Sequence, residues 1–309
     1  MELPGAYGGL LESITMSSLH LGRLAMALAL HASICEALEP GLPSKTAVWA
    51  AAARALGSKN SNPELRNPDY LAIKFLGPRE RAILSADIDM AALDLDFASA
   101  IKILGLRLPV VTHAYRTKAF DAAMLAALKD GVRQVVVLGA GFDSRGYRFQ
   151  AELRGVRFME VDYGPTQQYK KQRVKEILGA PAGNVTYVPM DFTKDDLRTQ
   201  LVKAGYSERV ATFFLWEGVT HYLPESAVRD TLHFVRDHAA PGSRIAFDYA
   251  FSSDPSINNP TSLYARWGEP WLFGFPADGA ARYVRREGLE VISDTPGLEK
   301  ICIAGVAQR

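Results

Sequence analysis

Charge of one sign is missing from this chain: 35 lysines and arginines stand against 34 aspartates and glutamates, a formal net charge of +1. Without a one-signed field nothing pulls the protein toward nucleic acid or an anionic membrane, so a small-molecule partner is the default expectation. Cysteine is nearly absent too. Only Cys35 and Cys302 occur, far apart and without disulfide-like spacing, which suits free thiols in a reducing, cytoplasmic compartment. Long apolar runs are lacking. The uncharged stretch between Arg23 and Glu36 is too short to cross a bilayer, carries His31 and starts too late for a usual secretory signal. Residues 17–39 therefore read as an amphipathic cap or packing helix. There is no internal repeat, no low-complexity tract, and no histidine pair at metal-ligand spacing, so no metal is expected. The oligomeric state is not written in these residues.

What is present is an ordinary globular composition, 48% hydrophobic and 22% charged over 309 residues, enough for one α/β domain with decorations. The first 130 residues look helical. Ser44 is placed to cap TAVWAAAARAL, and Thr117 to cap KAFDAAMLAALK, where Phe120, Met124 and Leu128 share a face and Gly131 follows as a stop. NSNPELRNPDY, around residues 60–70, is a loop. From Arg133 the rhythm changes to seven short apolar or alternating runs: 134–138, 157–161, 185–190, 211–216, 244–249, 289–293 and 300–306. Helix signals separate the first five, which predicts a parallel sheet with right-handed crossovers. Only SDTPGLE separates the last two, which predicts an antiparallel hairpin. The expected organisation is one integrated domain. A helical cap over 1–130 packs on a core over 131–309, with a lid insertion around 250–276.

The chemistry-bearing residues gather at strand ends. VVVLGAGFDSR ends a strand in Gly139-Ala140-Gly141, where backbone amides can approach a ligand closely. Ser144 replaces the third glycine of the dinucleotide fingerprint and Asp143 would repel a pyrophosphate, both of which count against nicotinamide or flavin. Asp162, at the end of the second strand and about twenty residues after the glycine turn, stands where such folds bind ribose hydroxyls, though it could instead cap the next helix. Asp191 and Phe192 end the third strand. They could meet an adenine ring, or Asp191 could tighten a turn before Thr193 caps a helix. Glu217 ends the fourth strand, facing a ligand ammonium or sulfonium. His221, followed by Tyr222, has two readings: a base for a hydroxyl acceptor, or a packed, hydrogen-bonded structural histidine. Tyr249, Tyr264, Trp267, Trp271, Phe273 and Phe275 could wall an acceptor pocket or glue a lid to the core. KKQRVK at 170–175 reads as a solvated basic face.

Together SKTAVWAAAARAL, NPDY, HAYRTKAFD, VVVLGAGFDSRGYRF, MEVDYGPTQQYK, MDF, LWEGVTHYLP and RWGEPWLFGF, in that order and spacing, resemble the leucine carboxyl methyltransferase family in its bacterial-type branch. The resemblance covers about residues 44–306. It implies a Rossmann-like class I methyltransferase sheet of seven strands, mostly parallel with a C-terminal antiparallel hairpin, and S-adenosylmethionine as cofactor with S-adenosylhomocysteine as product. It implies Lys45 and Arg116 on the methionine carboxylate, Gly139 beneath the cofactor with Gly141 of the same turn also cofactor-binding, Asp162 on ribose, Asp191 and Phe192 on adenine, and Glu217 near the methionine part. The reading of Arg116 adds that it precedes the Thr117 cap, so a cation and free helix amides would converge on one carboxylate. The expected reaction is methylation of a carboxyl or hydroxyl oxygen of a small metabolite. The alternatives are a protein C-terminal carboxyl as acceptor, or a cofactor-binding regulator without turnover. Two departures from the family pattern are NPDY, where an Asp-Pro-Tyr type loop is usual, and His221, where an apolar residue is common.

Overall fold

The seven apolar runs form one sheet. Its strands are β1 Gln134–Leu138, β2 Arg157–Asp162, β3 Val185–Pro189, β4 Thr212–Trp216, β5 Arg244–Asp248, β6 Glu290–Thr295 and β7 Ile301–Gly305, arranged β3-β2-β1-β4-β5-β7-β6. The computed structural model describes residues 42–105, 107–179, 183–295 and 300–307. The helix expected over 17–39, and Cys35 with it, lie outside the described residues. Strands β1 to β5 pair in parallel, and β7 runs antiparallel to both β5 and β6. The strand order reverses between β1 and β4, which opens a crevice at their carboxyl ends, the usual ligand position in such sheets.

Period two decides what each sheet face buries. Val136, Leu138, Met159, Val161, Phe214 and Trp216 point into one core, while Val135, Val137, Phe158, Phe213 and Leu215 point into the other. Among the described residues eight α-helices precede the end of β5: α1 Lys45–Ser58, α2 Pro78–Leu84, α3 Phe97–Leu104, α4 Arg107–Lys129, α5 Arg145–Arg148, α6 Gly164–Leu178, α7 Leu197–Lys203 and α8 Glu225–His238. Two more follow, α9 Leu263–Arg266 and α10 Ala281–Arg286. Against the first core lies α8, burying Ala227, Val228, Thr231, Leu232 and Val235 on one stripe. Against the second lies α4, through Phe120, Met124 and Ala127. A third apolar cluster joins α1 and Phe75 to Phe142 of the β1 turn, Tyr169 of α6 and Trp267 of the late insertion. Among the described residues no helix is long and apolar enough to cross a membrane.

Two expectations fail. Thr117 caps nothing: α4 runs unbroken through it, and the Thr117 hydroxyl donates to the His113 carbonyl one turn back at 2.7 Å. Arg116 therefore lies inside a helix, away from free terminal amides. The basic run 170–175 is not simply a solvated face either. Lys170 is fully buried with its ammonium 2.6 Å from the buried Glu160 carboxylate, and Arg173 reaches Glu80 at 2.9 Å, while Lys171 and Gln172 face water. Burial pushes the Glu160 carboxyl up to about 7, against the pull of Lys170.

Candidate active site

The turn after β1 is shaped by its neighbours. Gly139 has φ +67°, and a Cβ there would stand 2.3 Å from Val219 Cγ2, so glycine lets the turns after β1 and β4 touch. Gly141, at φ +43°, packs on Ala47 of α1 and donates its amide to the Asp162 carboxylate. Asp162 also accepts from the Tyr163 amide at 2.6 Å. Burial nevertheless dominates and lifts its carboxyl to about 6. An acceptor-only carboxylate thus stands at the end of β2, held by backbone from two sides.

Behind the crevice lies a connected ion network. Arg116 donates through Nε to Glu217 and through an amino nitrogen to Asp248, both at 2.9 Å. Arg145 meets Glu217 at 2.8 Å and Asp121 at 2.7 Å, and it also pairs with Asp143. Arg148 reaches Asp121 at 2.8 Å and Ser144 Oγ at 2.8 Å. Ser144 donates to Asp69 at 2.7 Å, and Arg54 binds Asp69 at 2.9 Å. The linked set holds four guanidiniums and five carboxylates. Fully ionised, it carries one negative charge in excess, which suits a cationic ligand. Burial alone would raise the Glu217 carboxyl, but Arg145 and Arg116 outweigh it and hold it at about 2. Burial raises Asp248 against the pull of Arg116. Asp248 also accepts the Gly218 amide at 2.5 Å.

Arg145 and Asp248 escape the sequence reading. Arg145 follows Asp143 by two positions in GFDSR, and Asp248 ends β5 at the same sheet edge as Asp162 and Glu217, so position alone could have flagged both. The NPDY loop has its role here as well. Asp69 accepts from the amides of Leu71 and Ala72 at 3.1 Å each, which fixes the loop, and Asn67 donates to Thr117 Oγ1 at 3.1 Å, which ties it to α4; Ser144 on Asp69 and Arg54 on the Phe142 carbonyl at 2.8 Å bind the helical layer to the β1 turn.

The remaining candidates divide. Lys45 opens α1 behind its Ser44 cap, half-buried and with no ion pair among the described residues. Asp191 Oδ1 accepts from the Thr193 amide at 2.9 Å and from its hydroxyl at 2.7 Å, which is the turn-tightening geometry. Helix α7 is capped three residues later by Asp196. Phe192 packs partly buried on the first core. His221 lies 4.2 Å from the Trp271 ring and 4.3 Å from Tyr222, and its side chain makes no hydrogen bond among the described residues. Burial, helped by Arg116, lowers it to about 3, so it is neutral. Burial and Glu269 raise the Tyr222 phenol. Trp271 stacks on Tyr264 at 4.7 Å and 13°. His221, Tyr222, Tyr264 and Trp271 are thus brought together. Trp267 joins them edge-on through Tyr264, with ring centroids 6.2 Å apart, while its indole donates to Asp87 at 2.8 Å. Tyr249 and Phe273 are not part of that group: Tyr249 donates to Asp294 at 2.8 Å, and Phe273 packs on Phe275 and Tyr283.

Comparison with known proteins identifies a family and a fold. The profile of the leucine carboxyl methyltransferase family matches residues 47–236. A relative in Mycobacterium avium, bearing the provisional name of an S-adenosyl-L-methionine-dependent methyltransferase, is 32% identical over 66% of this chain and 65% of its own length. One in Mycobacterium marinum with the same name is 31% identical over 68% of this chain and 64% of its own. The chain thus spans just under two thirds of the length of these relatives. A crystal structure of a provisionally assigned methyltransferase from Thermobifida fusca superposes with a TM-score of 0.50 over 84% of this chain and 94% of that one, at 15% identity. That likeness concerns the fold.

Proposed function

Because the chain belongs to the leucine carboxyl methyltransferase family, whose cofactor is S-adenosylmethionine, we propose that it methylates a carboxylate oxygen of a small organic acceptor. When bound, the cofactor supplies an electrophilic methyl group on a sulfonium. The described residues fit it at two points. Asp162 is a rigid acceptor for ribose hydroxyls, and the Glu217 network carries the excess negative charge that a cationic ligand would neutralise. In this reading Lys45 and the uncommitted N–H groups of Arg116 take the methionine carboxylate, Gly139 and Gly141 let the backbone come close, and Asp191 with Phe192 flanks adenine. His221, Tyr222, Tyr264 and Trp271 wall the acceptor side and exclude water, with Trp267 bracing Tyr264 edge-on, while Tyr249 and Phe273 hold the base of the insertion on the core.

One observation carries the choice of a carboxylate: His221, the histidine on the acceptor side, is packed between Trp271 and Tyr222 with no side-chain hydrogen bond among the described residues, and burial weakens it as a base. So weak a base is poorly matched to taking a proton from a phenol, whose ordinary pKa is near 10. A carboxylate needs no base, and alignment with desolvation is then the whole task of the protein. The test supplies methyl-labelled cofactor with matched aromatic carboxylic acids and phenols, and with a peptide ending in leucine. We expect base-labile methyl esters of a small acid, and we expect His221→Gln to keep kcat within about threefold. Labelling of phenols alone, with a hundredfold loss in H221Q, would make His221 a base and the acceptor a hydroxyl. Labelling of the peptide alone would move the acceptor to a protein terminus.

A further inference from the structure

The insertion between β5 and β6 reaches the N-terminus of α1, and one of its side chains ties it there. Glu269 follows Trp267 and precedes Trp271. Its carboxylate accepts from Ser44 Oγ at 2.6 Å, from the Thr46 amide at 3.2 Å, and from the Thr46 hydroxyl. These three donors form the N-terminus of α1, a helix of 14 residues, so the helix dipole adds to charge-assisted hydrogen bonds. Ser44 is the junction. It caps α1 through the Ala47 amide at 3.1 Å, and its own amide donates to Thr166 of α6 at 3.3 Å. Glu269 also lies close enough to Asp162 and Tyr222 for its charge to raise both groups.

The other fastenings of the insertion leave this spot to Glu269. The indole of Trp267 is held by Asp87, on the helical layer. Downstream, Leu272 donates to the His221 carbonyl at 2.7 Å, and Phe275 pairs with Ala250 and Ser252. Between these two anchors, Glu269 holds the stretch that carries Trp271 against His221. We propose that Glu269 is the latch of this insertion: by gripping Ser44 and Thr46 it keeps the lid seated on α1, and it positions the Trp271 and Tyr264 wall beside bound cofactor. The last clause rests on the methyltransferase reading, whereas the latch itself does not.

A double-mutant cycle between Glu269→Gln and Thr46→Val tests it. Gln keeps the size of Glu but gives up the charge, and Val keeps the Thr46 amide while deleting the hydroxyl; Glu269→Ala serves as the stronger lesion. The first readout uses the protein alone: the rate of chymotrypsin nicking within 250–276, beside the melting temperature of the whole chain. Each single variant should speed nicking at least fivefold with little change in melting temperature, and T46V should add nothing in the E269A background. Additive effects, or unchanged nicking in E269Q and E269A, would overturn the latch. Nicking throughout the chain with a lowered melting temperature would also overturn it, since that marks a general loss of stability. The second readout is the dissociation rate of S-adenosylhomocysteine, expected to rise about tenfold or more in E269A. If nicking responds as expected and the unaltered protein binds no S-adenosylhomocysteine, the latch stands and the cofactor reading falls.

Discussion

Asp162 shows how one side chain can favour different things at different pH. An isolated aspartate titrates near 3.9, whereas this one is lifted by burial to about 6. Between those values the folded chain holds a proton that the unfolded chain has lost, so the contribution of this group to stability falls as pH rises through the window. Cofactor affinity should move the other way, because the ionised carboxylate is the better acceptor for ribose hydroxyls. Binding of S-adenosylhomocysteine should tighten about tenfold from pH 5 to pH 7, following the ionised fraction. Asp162→Asn should weaken binding and remove that slope. A D162N profile parallel to that of the unaltered protein would take Asp162 out of the ribose role. The place of Asp162, at the end of β2 and beside the glycine turn, was legible because a carboxylate about twenty residues beyond such a turn is a local, countable signal. Asp248 was not, because its meaning depends on Arg116, 132 residues away.

At the scale of elements, the seven strands and their hairpin were legible because each is a short apolar run bounded by turn chemistry. The strand ends fall within two residues of expectation. Thr117 misled because a capping residue is a local signal, while α4 is decided by what it packs against. Its hydroxyl has a partner in the His113 carbonyl inside the continuous helix, and its position is fully buried. Lys170 misled in the same way, since its partner Glu160 lies on the strand beneath and no helical pattern reports it. The close approach of the turns after β1 and β4 gives a sharper test. Gly139→Ala places a Cβ against Val219 at a positive φ, so about 3 kcal/mol of stability should be lost in urea unfolding. Adding Val219→Ala should recover the steric part and leave the backbone part. A G139A protein as stable as its parent would mean that the two turns do not meet this tightly.

Across the whole molecule, one ionic network joins what the sequence keeps apart: the NPDY loop, α4, the β1 turn, and the ends of β4 and β5. Arg145 is its hub, touching Asp121, Asp143 and Glu217 with almost no exposure of its own. Arg145→Met would remove one guanidinium from three buried carboxylates, two of which keep another arginine. We expect a loss of about 3–5 kcal/mol of stability in denaturant unfolding, with Arg145→Lys intermediate because a single ammonium cannot reproduce the fork. A loss below about 1 kcal/mol in R145M would show that the network does not hold the crevice together. The same network sets the electrostatics of the site, because its one negative charge in excess lies at the ends of the strands where the cofactor is proposed to bind.

The most direct measurement is a calorimetric titration of the purified protein with S-adenosylmethionine, S-adenosylhomocysteine and reduced nicotinamide dinucleotides, repeated on Asp162→Ala. The account predicts saturable binding of the first two at one site per chain, no binding of the dinucleotides, and at least a tenfold weaker affinity in D162A. Binding of a dinucleotide alone, or equal affinity in D162A, would contradict it.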